Sequence, residues 1–256
     1  MIEPSNNRGD TEMDLIMFIL KVIAMAIPAF LITTACHEAG HIIAGLLNKW
    51  KFMYFSTGPL TIYRESLDSK IKIGLSKELI TWFGFSATLP TEDKEENTDI
   101  FAKILIAGPI GSFVTGIIFL GLYFLTRSEF CVMTAMIAIA QGVSTALPIN
   151  IKSAASNNDG RRFLDIRKGG KKGEEEKAAF LIAVKNQLFP STPSDESLVR
   201  TMTDSDDLIT RYGGLCYARR NANLLKDEEK LADLKAQIAL LEDKVPASVR
   251  SIYSEI

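Results

Sequence analysis

Both histidines of the chain stand in one five-residue string, His37-Glu38-Ala39-Gly40-His41, and that string lies inside an apolar run. On a helix, residues four apart share a face, about 6 Å apart along the axis. Two imidazoles so placed can grip one Zn²⁺, with Glu38 beside them as general base toward a water on the metal. The flanking Ile32-Thr33-Thr34-Ala35-Cys36 and Ile42-Ile43-Ala44-Gly45-Leu46-Leu47 have the character of a membrane helix. Ionisable groups at the centre of such a helix cost roughly 2.5–3.5 kcal/mol on insertion scales and are usually functional. The plainer alternative, two satisfied core histidines beside an incidental helix-forming glutamate, leaves that cost without a return.

A catalytic zinc usually takes three protein ligands and keeps one position for water. No third histidine exists, so the remaining ligand must be a carboxylate or a cysteine. Asp159 is the strongest candidate. It follows Leu147-Pro148-Ile149-Asn150, where Pro148 breaks a helix, and the polar loop Ser153-Ala154-Ala155-Ser156-Asn157-Asn158. Gly160 beside it permits an unusual backbone, and irregular backbone at membrane depth is tolerated where it lines a watery cavity. By spacing alone, an exposed Asn-Asp-Gly turn accounts for Asp159 equally well. Cys36 adjoins His37 but reads as a small apolar residue of a membrane helix.

These residues need elements to carry them. The 256 residues are 47% hydrophobic with a formal net charge of −2, and the mean hydropathy is +0.12. That average joins two unlike halves: long apolar stretches up to about Pro148 and a charged portion beyond Lys152. Residues 15–47, 100–125 and 130–147 form three candidate spans. The first, interrupted only by Lys21 and Pro28, would reach roughly 50 Å as one helix, against a ~30 Å hydrocarbon layer. It is too long for a signal-peptide core and is expected to remain as an anchor. The second and third carry small residues (Gly108, Gly111, Ser112, Gly116; Ala135, Ala138, Gly142, Ser144) that allow close helix approach. Three scattered cysteines, Cys36, Cys131 and Cys216, suggest no disulfide framework and no cysteine metal site.

Lys49, Lys51, Arg64, Lys70, Lys72, Lys77 and Lys94 lie between the first two spans. Lys152, Arg161, Arg162, Arg167, Lys168, Lys171 and Lys172 follow the third. With three spans both groups fall on one side, which the positive-inside rule makes cytoplasmic, with the N-terminus outside the cell membrane. The basic run at 161–172 suits anionic lipid headgroups, and no nucleic-acid motif is present. Within the 49–96 loop, residues 51–63 and 70–75 read as short strands or a hairpin against the membrane face, punctuated by Gly58-Pro59. After Gly169-Gly170, helix-like spacing covers 174–188, 196–202, 206–225 and 226–244. The expected fold is mainly α and integral to the membrane: three transmembrane core helices, a small membrane-associated β hairpin and a helical cytoplasmic tail. The expected division is an N-terminal tail at 1–13, a membrane-embedded core at 14–168 and a cytoplasmic helical domain at 169–256.

Taken in order, His37-Glu38-Ala39-Gly40-His41, Ala107-Gly108-Pro109, and Leu147-Pro148 followed by Asn158-Asp159-Gly160-Arg161 resemble the site-2 protease family of intramembrane zinc metallopeptidases. The hairpin around Gly58-Pro59 is similar to that family's membrane-associated strands. The resemblance covers roughly residues 14–168 and leaves out the tail. It implies His37, His41 and Asp159 as zinc ligands and Glu38 as the catalytic base. It departs at Ser112, where the family often has asparagine, and at Ala146-Leu147, where many members have Asn-Leu. An amide that positions substrate backbone is thus missing or moved, to Asn150 or Asn157.

The expected activity is zinc-dependent endopeptidase cleavage of a membrane protein in or near its transmembrane segment, as in regulated intramembrane proteolysis. One rival is a catalytically inactive membrane scaffold holding partners through its helical tail. Another is a metal carrier, for which three spans are few and no second ligand cluster marks a path. Expected partners are a transmembrane substrate and the lipid bilayer; the C-terminal helices could also engage a second copy or a regulatory protein.

Overall fold

The computed structural model describes residues 7–76, 79–149 and 157–253. Helix α1 runs Asn7–Leu47, about 60 Å long, continuing through Pro28. Lys49, with φ 64°, turns the chain, and Asn48 Nδ2 and the Trp50 amide donate to the last carbonyls of the helix, Ala44 and Gly45. Helix α2 (Asn97–Thr126) returns, and α3 (Glu129–Ala146) follows after a tight turn at Arg127. These three helices are long and apolar enough to cross a membrane.

The small residues do the work their positions suggest. Gly40 lies against the Ala107 carbonyl and Gly111 against that of Cys36, so α1 and α2 cross almost backbone to backbone. Gly116 meets Ile139, and Gly142 meets Phe113 and Ser112, bringing α3 onto α2. At the far end Lys21 pairs with Glu129 at 2.6 Å, tying α1 to the start of α3. Beyond Lys21 the apolar side chains of α1, Met13 to Leu20, stand exposed.

Between α1 and α2 lies a four-stranded antiparallel sheet, larger than the expected hairpin, in the order β3-β2-β1-β4. Strand β1 (Lys51–Thr57) pairs with β2 (Leu60–Tyr63), Ser56 facing Thr61, and β2 pairs with β3 (Lys72–Leu75). Strand β4 (Phe85–Leu89) arrives through a short 3-10 turn (Leu79–Phe83) and pairs on the other side of β1. Strand β4 alternates apolar Phe85, Ala87 and Leu89 with polar Ser86 and Thr88, and pairing with β1 fixes it as a strand. The sheet stands alongside α1 rather than under its end. Thr57 Oγ1 donates to the Leu31 carbonyl at 3.2 Å, and Leu31 is about 24 Å of helix from Leu47. Ile73 and Leu75, two apart on one strand and hence on one face, point outward with Phe83 and Phe85.

The remaining chain is helical: α4 (Asp159–Lys168), α5 (Gly170–Leu188), α6 (Glu196–Thr203), α7 (Leu208–Leu225), α8 (Glu228–Glu242) and α9 (Ala247–Tyr253). Gly169 and Gly170, with φ of 68° and 71°, make the reversal between α4 and α5 in a conformation that a side chain resists. Helices α5 to α9 share a core that includes Ile182, Met202, Cys216, Ile238 and Val249. The other face of α5 is apolar too. Phe180 stacks between Trp50 (5.7 Å) and Phe101 (4.2 Å), and Val184 joins Ile104. The tail is therefore packed onto the ends of α1 and α2.

Candidate metal centre

His37, buried, and His41, partly buried, lie on the face of α1 turned toward α2, with ring centroids 5.0 Å apart. The His41 Nδ1 lies 2.7 Å from the Ile104 carbonyl oxygen. A carbonyl only accepts, so Nδ1 carries the proton and Nε2 keeps its lone pair. The His37 Nδ1 lies 2.9 Å from Ser112 Oγ, fully buried on α2. Each ring is held through one nitrogen, leaving the other to face a common point, as outer-shell partners do in metal sites.

At that point is Asp159. Its Oδ2 lies 3.1 Å from His37 Nε2 and 3.5 Å from His41 Nε2, across 122 residues of chain from His37. Three local devices place it. Asn158 caps α4, its side chain accepting from the Arg161 amide at 3.1 Å, so Asp159 is the first helical residue. The same Asn158 amide donates to the Ser144 carbonyl at 2.8 Å and the Leu147 carbonyl at 2.5 Å, clipping α4 to the end of α3. Gly160 presses on the Ala146 carbonyl, where a side chain has no room. Gly108 plays the equivalent part under the imidazoles: a Cβ there would collide with His41 Nε2 and stand 2.8 Å from His37 Nε2.

One ligand atom from each of the three side chains falls within 4.8 Å of the others, so the cluster could hold a metal ion. Two imidazole nitrogens and a carboxylate oxygen suit a borderline-soft divalent ion. Ligand distances near 2.0–2.1 Å in a tetrahedron imply ligand separations of about 3.3 Å, and the two separations from the Asp159 oxygen to the imidazole nitrogens, 3.1 and 3.5 Å, straddle that value.

Glu38 is buried beside the cluster. The Ser86 hydroxyl on β4 donates to its Oε2 at 2.5 Å, and Gly84 abuts its other oxygen, Oε1. Strand β4 follows the last turns of α1, with Thr88 against Gly45 and Leu89 reaching the Trp50 cluster. Its role is thus to aim a carboxylate.

Histidines, glutamate and aspartate open onto one cavity of about 930 Å³. Strand β4, Gln141 and Thr145 of α3, and Asn157 line it, and so do Lys172, Glu175, Phe180, Tyr217 and Tyr253 of the tail. Ion pairs Arg161–Asp165 (2.8 Å), Arg162–Glu176 (3.0 Å) and Lys172–Glu175 (2.8 Å) gather at its tail side. Of the two asparagines expected to position substrate, Asn157 faces this cavity, while Asn150 lies outside the described residues. Ser86, the Ile104 carbonyl, Gln141 and the α5 wall escaped sequence reasoning. Ser112 was visible as a small packing residue and as a departure from a motif, not as a partner of His37. Comparison with protein-family models, with curated proteins and with solved structures finds no match.

Proposed function

We propose that the chain is a zinc-dependent endopeptidase of the membrane, cleaving a protein substrate in or near its transmembrane segment. One observation carries the reading: a carboxylate from α4 meets two imidazoles from α1 with a second, oriented carboxylate alongside. His37, His41 and Asp159 would hold the metal, which when bound acidifies a water toward pKa ~7 and polarises a carbonyl. Glu38 takes the water's proton and passes it to the departing amine, and the Ser86 hydroxyl keeps its Oε2 turned for that transfer. Ser112 and the Ile104 carbonyl keep the imidazoles in register.

His37 lies about 15 Å of helix from Leu47, so water must come through the cavity. The cavity supports this by continuing from Glu38 to the charged tail wall. A substrate helix must unwind to present a carbonyl, because its own i→i+4 bonds otherwise protect it. In this reading the N-terminus is outside, the tail is cytoplasmic and the bilayer surrounds α1 to α3, in line with the distribution of basic residues.

The test combines elemental analysis of detergent-purified protein with cleavage of a panel of co-expressed single-span proteins tagged at both ends. Wild type should carry one zinc per chain, and Asp159→Ala should lose it. Glu38→Gln should keep the zinc and abolish cleavage; zinc-dependent cleavage that survives Glu38→Gln refutes the assigned base.

A further inference from the structure

Among the described residues lining the cavity beside Glu38, two side-chain oxygens are buried without a hydrogen-bond partner, Gln141 Oε1 and Glu175 Oε1, and Glu175 is already engaged through its other oxygen by Lys172. Gln141 stands on α3. Its neighbours are already engaged. Ser86 serves Glu38, Ser112 serves His37, and Asn158 caps α4 and clips α3. Asn157 has an interaction of its own, and the Thr145 hydroxyl bonds the Gln141 main-chain carbonyl at 2.8 Å. A buried amide oxygen without a hydrogen bond is costly, and the cost is recovered when a donor arrives. The partner the cavity would receive is a stretch of unwound main chain, whose N–H and C=O groups also need satisfying away from water. A primary amide offers both an acceptor and donors, and a half-turn of its last bond exchanges them.

We propose that Gln141 hydrogen-bonds the substrate main chain beside the scissile bond. It would thereby supply from α3 the positioning amide that the family resemblance leaves missing or moved to Asn150 or Asn157. The inference rests on the peptidase reading above. A single well-placed hydrogen bond orients a flexible chain for attack without touching the metal.

Two probes separate the contributions in zinc-loaded, full-length protein in nanodiscs, followed by isothermal titration. Acetohydroxamic acid reaches only the metal, whereas an apolar tetrapeptide hydroxamate also lays main chain along the cavity. Gln141→Met, similar in length and unable to donate or accept strongly, should retain its zinc. It should bind acetohydroxamic acid as wild type does and bind the peptide hydroxamate about tenfold more weakly, equivalent to about 1.4 kcal/mol. Gln141→Leu should behave alike. Unchanged affinity for both probes overturns the assignment. Parallel loss of both probes, or loss of zinc, overturns it in favour of a structural role. A wild type that binds neither probe removes the peptidase reading itself, and this inference with it.

Discussion

Each imidazole is held through one nitrogen and turns the other toward the Asp159 carboxylate. For His41 the Ile104 carbonyl at 2.7 Å decides the tautomer, because it can only accept. For His37 the equivalent partner is Ser112 at 2.9 Å. A serine can donate or accept, so this ring is held less strictly, and removing its hydroxyl isolates the contribution of orientation. Ser112→Ala should therefore weaken zinc binding by about 10–100-fold while the chain still folds, measured by competition with a chromogenic chelator. An unchanged affinity would mean that the packed helices alone orient His37.

The elements meet at a few points where a side chain has been dispensed with. Gly108 leaves the space into which both imidazoles project, and Gly160 lets α4 start against the end of α3. Neither residue touches a reacting group, yet each decides whether the ligands converge. Gly108→Ala puts a methyl group where His41 Nε2 stands, and the obstruction is a ring on a packed helix rather than the free end of a flexible chain. The expected outcome is loss of zinc with far-ultraviolet circular dichroism unchanged, because alanine is the better helix former. Retention of stoichiometric zinc would show that α1 and α2 can slide apart to accommodate the methyl. Strand β4 is positioned more weakly, by its ladder to β1, the Ser86–Glu38 bond and contact with α1.

Across the whole molecule, the tail is a wall of the cavity. Phe180 sits between Trp50 and Phe101 in nearly parallel stacks, with interplanar angles of 8° and 7°. Arg162 lies over the Phe101 ring at 5.1 Å. Replacing a buried aromatic by alanine typically costs about 3–5 kcal/mol. Phe180→Ala should thus undock α5 and speed tryptic cleavage around Arg167, Lys168 and Lys171, measured on protein in nanodiscs; wild-type digestion rates would place the docking energy elsewhere. The tail also carries a built-in alkaline limit. Burial pushes the Tyr217 hydroxyl up to about 12 and raises Tyr253, whose rings meet edge to face at 5.8 Å. A raised folded pKa favours the neutral form. The contribution is therefore complete below the ordinary value near 10 and lost as pH climbs through about 12. Helicity and tyrosinate absorbance should change together over that interval, and Tyr217→Phe should move the midpoint upward.

How much of this was legible from the residues alone varies with the range of the interaction. His37, Glu38 and His41 were readable because a helix converts a spacing of four into a shared face, a purely local rule. The three apolar helices and most of the tail helices were readable for the same reason, since apolar length and periodicity belong to each segment by itself. Asp159 stood level with an exposed turn on spacing alone; only the docking of α4 against α2 and α3 separates the two, by bringing its carboxylate to the imidazoles. The Ile104 carbonyl and Phe180 carried no local signal, and the alternation of residues 85–89 marks a strand without pairing Ser86 with Glu38. Each acquires its meaning from a neighbour far away in the chain, through a ladder, a hydrogen bond or a stacked ring. Sequence thus determined which segments are helices and which side chains can bind a metal. Tertiary packing decided which of them share a cavity, because only the folded chain makes distant residues neighbours.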